Sequence, residues 1–464
     1  MDRVLMNFFK KIYGNLVVLR HLPGQKRIPY LPEEQWQALR DARVQATVRH
    51  AAATVPHYRD LFRAERIDPR EIRSVADLDR LPLLDKATIR QAPERFLSES
   101  ASDRNALSFV TSGSTSAPLK IYHDHRSMLA NIAFGERERD VLAQLCGKGV
   151  RWKELLLLYP GATFLRVFDF YRQATFIPLR PDRCTLSVAE PLERVVHAID
   201  RFRPDVIIGY AGYLEMLFRT LAARSLPMHL PRLVIFGGEA MTAPGRQLIT
   251  EQFGVPLIAL YNAVESFKIG FMCEEGRDYH LHEDLCHVKI VDKGGKPVAD
   301  GEQGEVIISN LVNRATVLLN YRLGDVAMRT TRACACGRTL PLLTALEGRV
   351  EDILHLPDGT FLHPMAIWAI FKHRVEVLRY QLIQHETARF EIRLVTTDQQ
   401  TYQKLLPAIL QDLRALLSKS ARIDPSFHEQ LEMPGTGKFR AVISMCSKRE
   451  PHPVMGTAGG QGTP

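Results

Sequence analysis

No stretch of this 464-residue chain supplies the roughly 18 consecutive apolar residues that a membrane-spanning helix needs. The opening MDRVLMNFFKKIYGNLVVLR places charges where a secretory signal peptide keeps an unbroken apolar core. It reads as an amphipathic helix packing on its own domain, with contact to a membrane surface as the lesser alternative. Cysteine is scarce and odd in number, seven in a long chain, which argues against a disulfide framework and for a reducing cytoplasm. There is no internal repeat and no block of five or six like charges. Lys and Arg outnumber Asp and Glu by 61 to 52, but they are dispersed, so a specific nucleic-acid partner is not expected. The only low-complexity segment is the tail MGTAGGQGTP, and residues 451–464 are expected to be disordered.

What remains is 45% apolar and long enough for at least one large core. From Glu33 to Arg63 the pattern is helical. From Arg104 to about Leu260 the apolar segments ELLLLYP, ATFIPL, DVIIGY and RLVIFGG alternate with helical ones, which argues a layered α/β body. HVKIVDKGGKPV and GEVIISN follow as hairpin strands about the Gly294-Gly295 turn, so the body should carry mixed sheets. Beyond Gly348-Arg349 the register changes. A helix near 364–376, strands RYQLIQ and RFEIRLV, a helix near 400–419 and AVISM describe a small α+β unit. The expected division is 1–349 for the large N-terminal domain and 350–450 for a small, mobile C-terminal one.

Between two strand-like runs lies TSGSTSAPLK, residues 111–120. Thr111, Ser112, Ser114 and Thr115 around Gly113 offer hydroxyls and backbone N–H groups to one anion, as nucleotide phosphates require. The spacing is not that of a Walker A loop. Taken alone, such a loop is more often an ordinary Ser/Thr-rich turn.

Further motifs follow it in order: FGGEA at 236–240, YNAVE at 261–265, YRLGD at 321–325, GRVED at 348–352 and GTGKFR at 435–440. Together they resemble the adenylate-forming superfamily of acyl-CoA synthetases, luciferases and peptide-synthetase adenylation domains. VPHYRDLF at 55–62, HLHED at 280–284 and CACGRTLP at 334–341 look most like its phenylacetate-CoA ligase and coenzyme F390 synthetase branch. The resemblance spans about residues 33–445.

It implies a two-step reaction in which a carboxylate, expected to be aryl or aryl-acetic, attacks the α-phosphate of ATP, and the acyl-adenylate then passes to an acceptor, first of all CoA. By the same resemblance the loop from Thr111 would hold the β- and γ-phosphates. Glu265 would ligate Mg²⁺, Tyr261 would lie against adenine, and Gly237, Gly238 and Glu239 would edge its slot. Asp325 would bind the ribose hydroxyls, Arg349 the ribose or phosphate, and Lys438 would bridge the carboxylate and α-phosphate. Glu351 and Asp352 fall at the family's hinge. An apolar acyl pocket is expected near Gly209 to Tyr213 and Phe236.

Cys334 and Cys336, one residue apart, with Cys273 and His280, form a candidate closed structural Zn²⁺ site, with His282 and Cys286 in reserve. Inert buried thiols are the plain alternative.

Three departures from the family pattern stand out. Ser116 replaces a glycine and Leu119 a lysine of the phosphate loop, Val264 replaces a hydroxyl residue, and ILHLPDGTFLHP follows GRVED where CoA ligases carry a glycine-containing loop. They keep open an amide synthetase, an AMP transferase to a hydroxyl, or a catalytically silent zinc-containing interaction protein.

Overall fold

The computed structural model describes residues 3–111, 119–147, 151–176, 182–238, 240–292, 294–347, 354–358, 361–362, 364–371, 374, 376–429, 431 and 441–446. The chain forms two compact units, Met1–Val350 and Glu351–Pro464.

In the first unit, β1 (Ala106–Val110) and β2 (Lys120–Asp124) pair antiparallel, Val110 opposite Lys120. A large sheet follows. Strands β3 (Lys153–Leu158), β4 (Asp182–Ser187), β5 (Val206–Tyr210), β6 (Leu233–Gly237) and β7 (Leu257–Tyr261) run parallel in the spatial order β4-β3-β5-β6-β7. Parallel neighbours require crossovers, supplied by helices such as Thr163–Ala174, Leu192–Phe202 and Ala211–Arg224. Both faces of the sheet are therefore covered, and β3 and β6 read as near-continuous buried apolar runs.

The same sheet continues antiparallel through β8 (Gly270–Met272), β9 (Tyr279–Leu281), β10 (Cys286–Val291), β11 (Gln303–Asn310), β12 (Tyr321–Thr330) and β13 (Leu342–Glu347), in the order β7-β8-β9-β13-β12-β11-β10. The expected hairpin is present: the turn bonds Gly295 N to Asp292 O at 3.0 Å, and Gly295 has φ +84°. In a flat sheet β7 and β12, four places apart, would be roughly 19 Å apart at about 4.8 Å per strand. Yet their side chains hydrogen-bond directly at 2.9 Å, so the sheet folds over on itself. The mixed α/β class read from the sequence is thus the observed one.

Of the expected strand ATFIPL, residues 174–176 are not in a strand and 177–179 lie outside the described residues. Ala174 ends a helix, and the strand is the polar DRCTLS of β4. Beta4 lies at the sheet edge, where an apolar pattern is not demanded, and its polarity concealed it.

The second unit has a four-stranded sheet of β16 (Val377–Glu386), β17 (Arg389–Thr396), β18 (Arg422–Phe427) and β19 (Val442–Ser444), ordered β18-β17-β16-β19, after a short ladder of β14 (Leu354–His355) and β15 (Phe361–Leu362). Helices Pro364–Phe371 and Gln399–Leu417 complete a core containing Ile367, Leu382, Phe390, Ile409 and Leu413. Beta18 escaped the sequence reading because it carries Pro425, which a strand tolerates at an edge.

Helix α1 (Arg3–His21) packs Val17 and Val18 against Met128, Leu129 and Phe170. Gly14 sits directly on the Ala174 carbonyl, where a Cβ would collide. Gly14→Ala is therefore expected to cost about 1–3 kcal/mol of local packing. It should speed protease cleavage within residues 3–21 several-fold while the rest of the first unit stays resistant. Unchanged cleavage kinetics would show that α1 docks by other contacts.

Candidate active site

Ligands of open α/β sheets bind outside the carboxyl ends of the strands. Here β5, β6 and β7 end side by side at Tyr210, Gly237 and Tyr261, with Tyr210 opposite Gly237 and Gly237 opposite Leu260. A Cβ on Gly237 would lie 3.2 Å from the Leu260 carbonyl oxygen, and Gly238 adopts φ +81°, which L side chains avoid. The two glycines leave a shelf of bare backbone beside Tyr210. Glu239 lies outside the described residues.

Two hydrogen bonds join this shelf to the antiparallel half. The Tyr261 hydroxyl donates to Asp325 Oδ2 at 2.9 Å, and Tyr321 donates to Glu265 Oε1 at 3.2 Å. Burial, then the adjacent Asp325 carboxylate, push the Tyr261 phenol well above its ordinary pKa, so it stays a donor. Beta12 thus supplies Tyr321 and Asp325 at once. Glu265 is itself buried, and Asn310 of β11 holds its carbonyl oxygen at 2.9 Å.

The hydroxyl-rich loop is clamped at its mouth. Thr111 N donates to Leu119 O at 2.9 Å, and Leu119 N donates to Thr111 Oγ1 at 3.0 Å. Ser112, Gly113, Ser114, Thr115 and Ser116 lie outside the described residues, as do Arg349, Glu351, Asp352 and Lys438. Leu119 is buried, which accounts for an apolar residue at this place in the loop. Lys120 is instead exposed, its Nζ 4.6 Å from the Tyr122 ring centre. Val264 packs against the cluster containing Phe109 and Met128, where a hydroxyl would need a partner.

His123 was not anticipated. It is buried in β2, stacks on Phe267 with ring centres 4.3 Å apart, and its Nε2 bonds the Val264 carbonyl at 2.7 Å. It ties the hairpin below the loop to YNAVE. A single histidine in a short strand gives no pattern by which sequence could have found it. Of the residues expected around the acyl pocket, Phe236 and Tyr213 are buried in the core, while Tyr210 remains partly exposed beside Gly238.

HLHED serves two purposes. Asp284 accepts both arms of the Arg137 guanidinium at 2.7 and 2.9 Å, all of it buried. His282 meets Glu138 at 3.2 Å, and Lys268 meets the same carboxylate at 2.5 Å. Burial favours the protonated Glu138, but Lys268 and His282 outweigh it and bring its pKa to about 2. His282 is thus committed elsewhere and, with Cys286, stands apart from the thiol cluster. Neither of the two reserve residues belongs to the group of converging ligand atoms.

Cys273, His280, Cys334 and Cys336 do converge, all four ligand atoms lying within 4.8 Å of one another. Cys273 Sγ is 3.6 Å from Cys334 Sγ, far beyond a disulfide bond, and Cys336 Sγ is 3.3 Å from His280 Nε2. Tetrahedral zinc with Zn–S of about 2.3 Å places its sulfurs about 3.8 Å apart, so the donor set fits such an ion. Burial raises the Cys336 thiol, but hydrogen bonds from His280 and Arg338 bring it down to about 6.

Residues 29–313 match the family described as AMP-binding enzyme. The chain belongs to that family. Among curated relatives, phenylacetate-coenzyme A ligase of Thermus thermophilus is 28% identical over 377 residues, spanning 77% of this enzyme and 80% of the relative. The ligase of the same name from Aromatoleum evansii is 23% identical over 436 residues, spanning 89% and 94%. The fold is shared with 2-hydroxyisobutyryl-CoA ligase solved with 2-HIB-AMP and CoA in its thioesterification state, at TM-score 0.61, 16% identity and 91% of both chains. These likenesses bear out the adenylate-forming resemblance and its phenylacetate-CoA ligase branch.

Burial holds His123 at a pKa of about 4, below its ordinary 6.5. The unfolded chain therefore takes up the proton first, and stability present above pH 6.5 declines as pH falls toward 4. Between pH 7 and pH 5 this histidine should cost the enzyme about 2 kcal/mol. His123→Gln, which keeps a donor for Val264 O, should flatten the pH dependence of the urea midpoint by that amount. An unaltered slope would place the acid sensitivity elsewhere.

Proposed function

We propose that the enzyme activates an aryl or aryl-acetic acid with ATP and transfers the acyl group to CoA. The observation that carries this reading is the pair of bonds, Tyr261 to Asp325 and Tyr321 to Glu265, that sets two carboxylates beside the glycine shelf of a chain belonging to the AMP-binding enzyme family.

In this reading adenine lies on the shelf of Gly237, Gly238 and Tyr261. Asp325 accepts from the ribose hydroxyls, a role suited to a carboxylate able to take several donors at once. Thr111 and the following Ser112 to Thr115 receive the β- and γ-phosphates. Glu265, oriented by Tyr321, would hold Mg²⁺, which takes one or two carboxylates alongside phosphate oxygens and water. Bound there, the ion neutralises phosphate charge.

The acid's carboxylate oxygen attacks the α-phosphorus, the bond to the bridging oxygen breaks, and pyrophosphate leaves with that electron pair. CoA thiolate then attacks the acyl carbon and AMP departs. Lys438 and Arg349 are assigned to the charge that develops at the α-phosphate, Glu351 and Asp352 to a hinge, and residues 350–450 to a mobile domain, all by resemblance. The cysteine cluster is proposed to hold a structural Zn²⁺, closed because Cys273, His280, Cys334 and Cys336 fill all four positions. No helix among the described residues is long and apolar enough to cross a membrane, and a cytoplasmic setting is part of this proposal.

The test is acid-dependent exchange of labelled pyrophosphate into ATP across aryl, aryl-acetic and aliphatic acids, followed by trapping with CoA, amines and hydroxyl acceptors. Exchange with aryl-acetic acids and a thioester product are expected. Asp325→Ala should raise the KM for ATP at least about tenfold, and Lys438→Ala should lower the exchange rate on the order of 10²- to 10³-fold. Exchange with no acid would overturn the reading, and an amide or AMP ester in place of the thioester would overturn its second step.

Elemental analysis of the purified enzyme should find about one zinc per chain. Chelation should lower the thermal midpoint of the wild type and leave that of Cys334→Ser with Cys336→Ser unchanged. A fully folded chain without zinc would overturn the metal assignment and leave these thiols inert.

A further inference from the structure

Helix α1 has two apolar faces, and the protein uses one of them. Gly14, Val17 and Val18 face the body. On the other side Phe8, Phe9, Ile12, Tyr13, Leu16 and Leu19 are each 37–61% exposed. At about 100° per residue these six cover roughly 140° of the helix, centred opposite Val17 and Val18. A surface helix of a globular protein is ordinarily the reverse, with polar side chains outward.

The charge on this helix has one sign. Residues 3–21 contain Arg3, Lys10, Lys11 and Arg20 and no Asp or Glu. By the helical angle Lys10 and Lys11 flank the apolar stripe on opposite sides, toward the protein body. Lys11 Nζ lies 5.2 Å from the centre of the Phe176 ring. Phe176 is itself about half exposed and meets Phe8 edge-on at 5.6 Å, which widens the stripe. At the far end of α1 a groove of about 340 Å³ opens over Val18, Leu22 and Ile132, with Lys26, Arg27 and Glu136 at its walls. The helix also precedes residues 29–313, so the family match does not account for it.

We propose that this face of α1 docks the enzyme on an anionic lipid bilayer, the helix lying in the plane of the interface. Aromatic and aliphatic side chains would enter the headgroup and acyl boundary, while the flanking lysines stay at headgroup level on their long stems. The charge selects this occupant over a second copy of the chain. A self-contact across α1 would set cations against cations with no carboxylate on the helix to pair them.

The test uses the full chain and sedimentation with vesicles of pure phosphatidylcholine or with phosphatidylglycerol at about a third of the lipid. Binding should be at least about tenfold tighter to the anionic vesicles and weaken as salt is raised. Phe9→Asp with Leu16→Asp should lose at least about tenfold in binding, with pyrophosphate exchange and the urea midpoint unchanged. Lys10→Glu with Arg20→Glu should abolish the preference for anionic lipid. Absence of sedimentation with anionic vesicles overturns the proposal. So does a concentration-dependent dimer that Phe9→Asp with Leu16→Asp converts to monomer without any vesicle binding, since the face would then be a self-contact.

Discussion

The hydrogen bond from Tyr261 to Asp325 is the contact on which the candidate site depends, because it spans two parts of one sheet that pairing alone would keep apart. Beta7 belongs to the parallel half and β12 to the antiparallel half. A hydrogen bond to a carboxylate is worth about 1.5–3 kcal/mol net, small beside the burial of the sheets it joins. Its importance is geometric. It fixes where the middle of β12 stands relative to the glycine shelf, and Tyr321 to Glu265 adds a second restraint at the start of that strand. A carboxylate held in this way is positioned before any ligand arrives, so no ligand binding energy is spent on ordering it.

Around this centre the molecule uses buried charge to set register. Arg137 and Asp284 are fully buried, with Arg43 3.5 Å from the same carboxylate, and Glu138 draws in Lys268 and His282. Buried ion pairs are weak sources of net stability, but removal of one partner strands the other. Helix Glu136–Cys146 is thereby committed to one alignment against HLHED, directly before β10. With zinc bound as proposed, the cysteine cluster would do the same for the turn between β8 and β9 and the loop between β12 and β13. Both devices hold the antiparallel half that delivers Tyr321 and Asp325.

Alpha1 lies outside this economy of mutual restraint. It is attached through Gly14, Val17 and Val18 and presents its larger apolar face outward. A peripheral lipid contact would place the body beside a bilayer without a spanning segment, which agrees with the hydropathy of the described helices.

The sequence by itself determined the fold class, the family and the identity of the chemical groups. Apolar strands alternating with helices betray buried parallel sheet, and glycines in FGGEA and carboxylates in YNAVE and YRLGD are legible because their chemistry is local. Beta4 and β18 were not legible, since edge strands are free of the apolar alternation that marks central ones. The motif pointed to His280, which meets Cys336, ahead of His282, which is two residues on and bound to Glu138, but periodicity could not have done so: alternate residues of an extended segment share a face, and only the surrounding elements show what each one meets. Tertiary structure alone decided that β12 folds back onto β7, that His123 supports Val264, and that α1 keeps an apolar face exposed, because each of these is a relation between segments distant in the chain or between a segment and solvent.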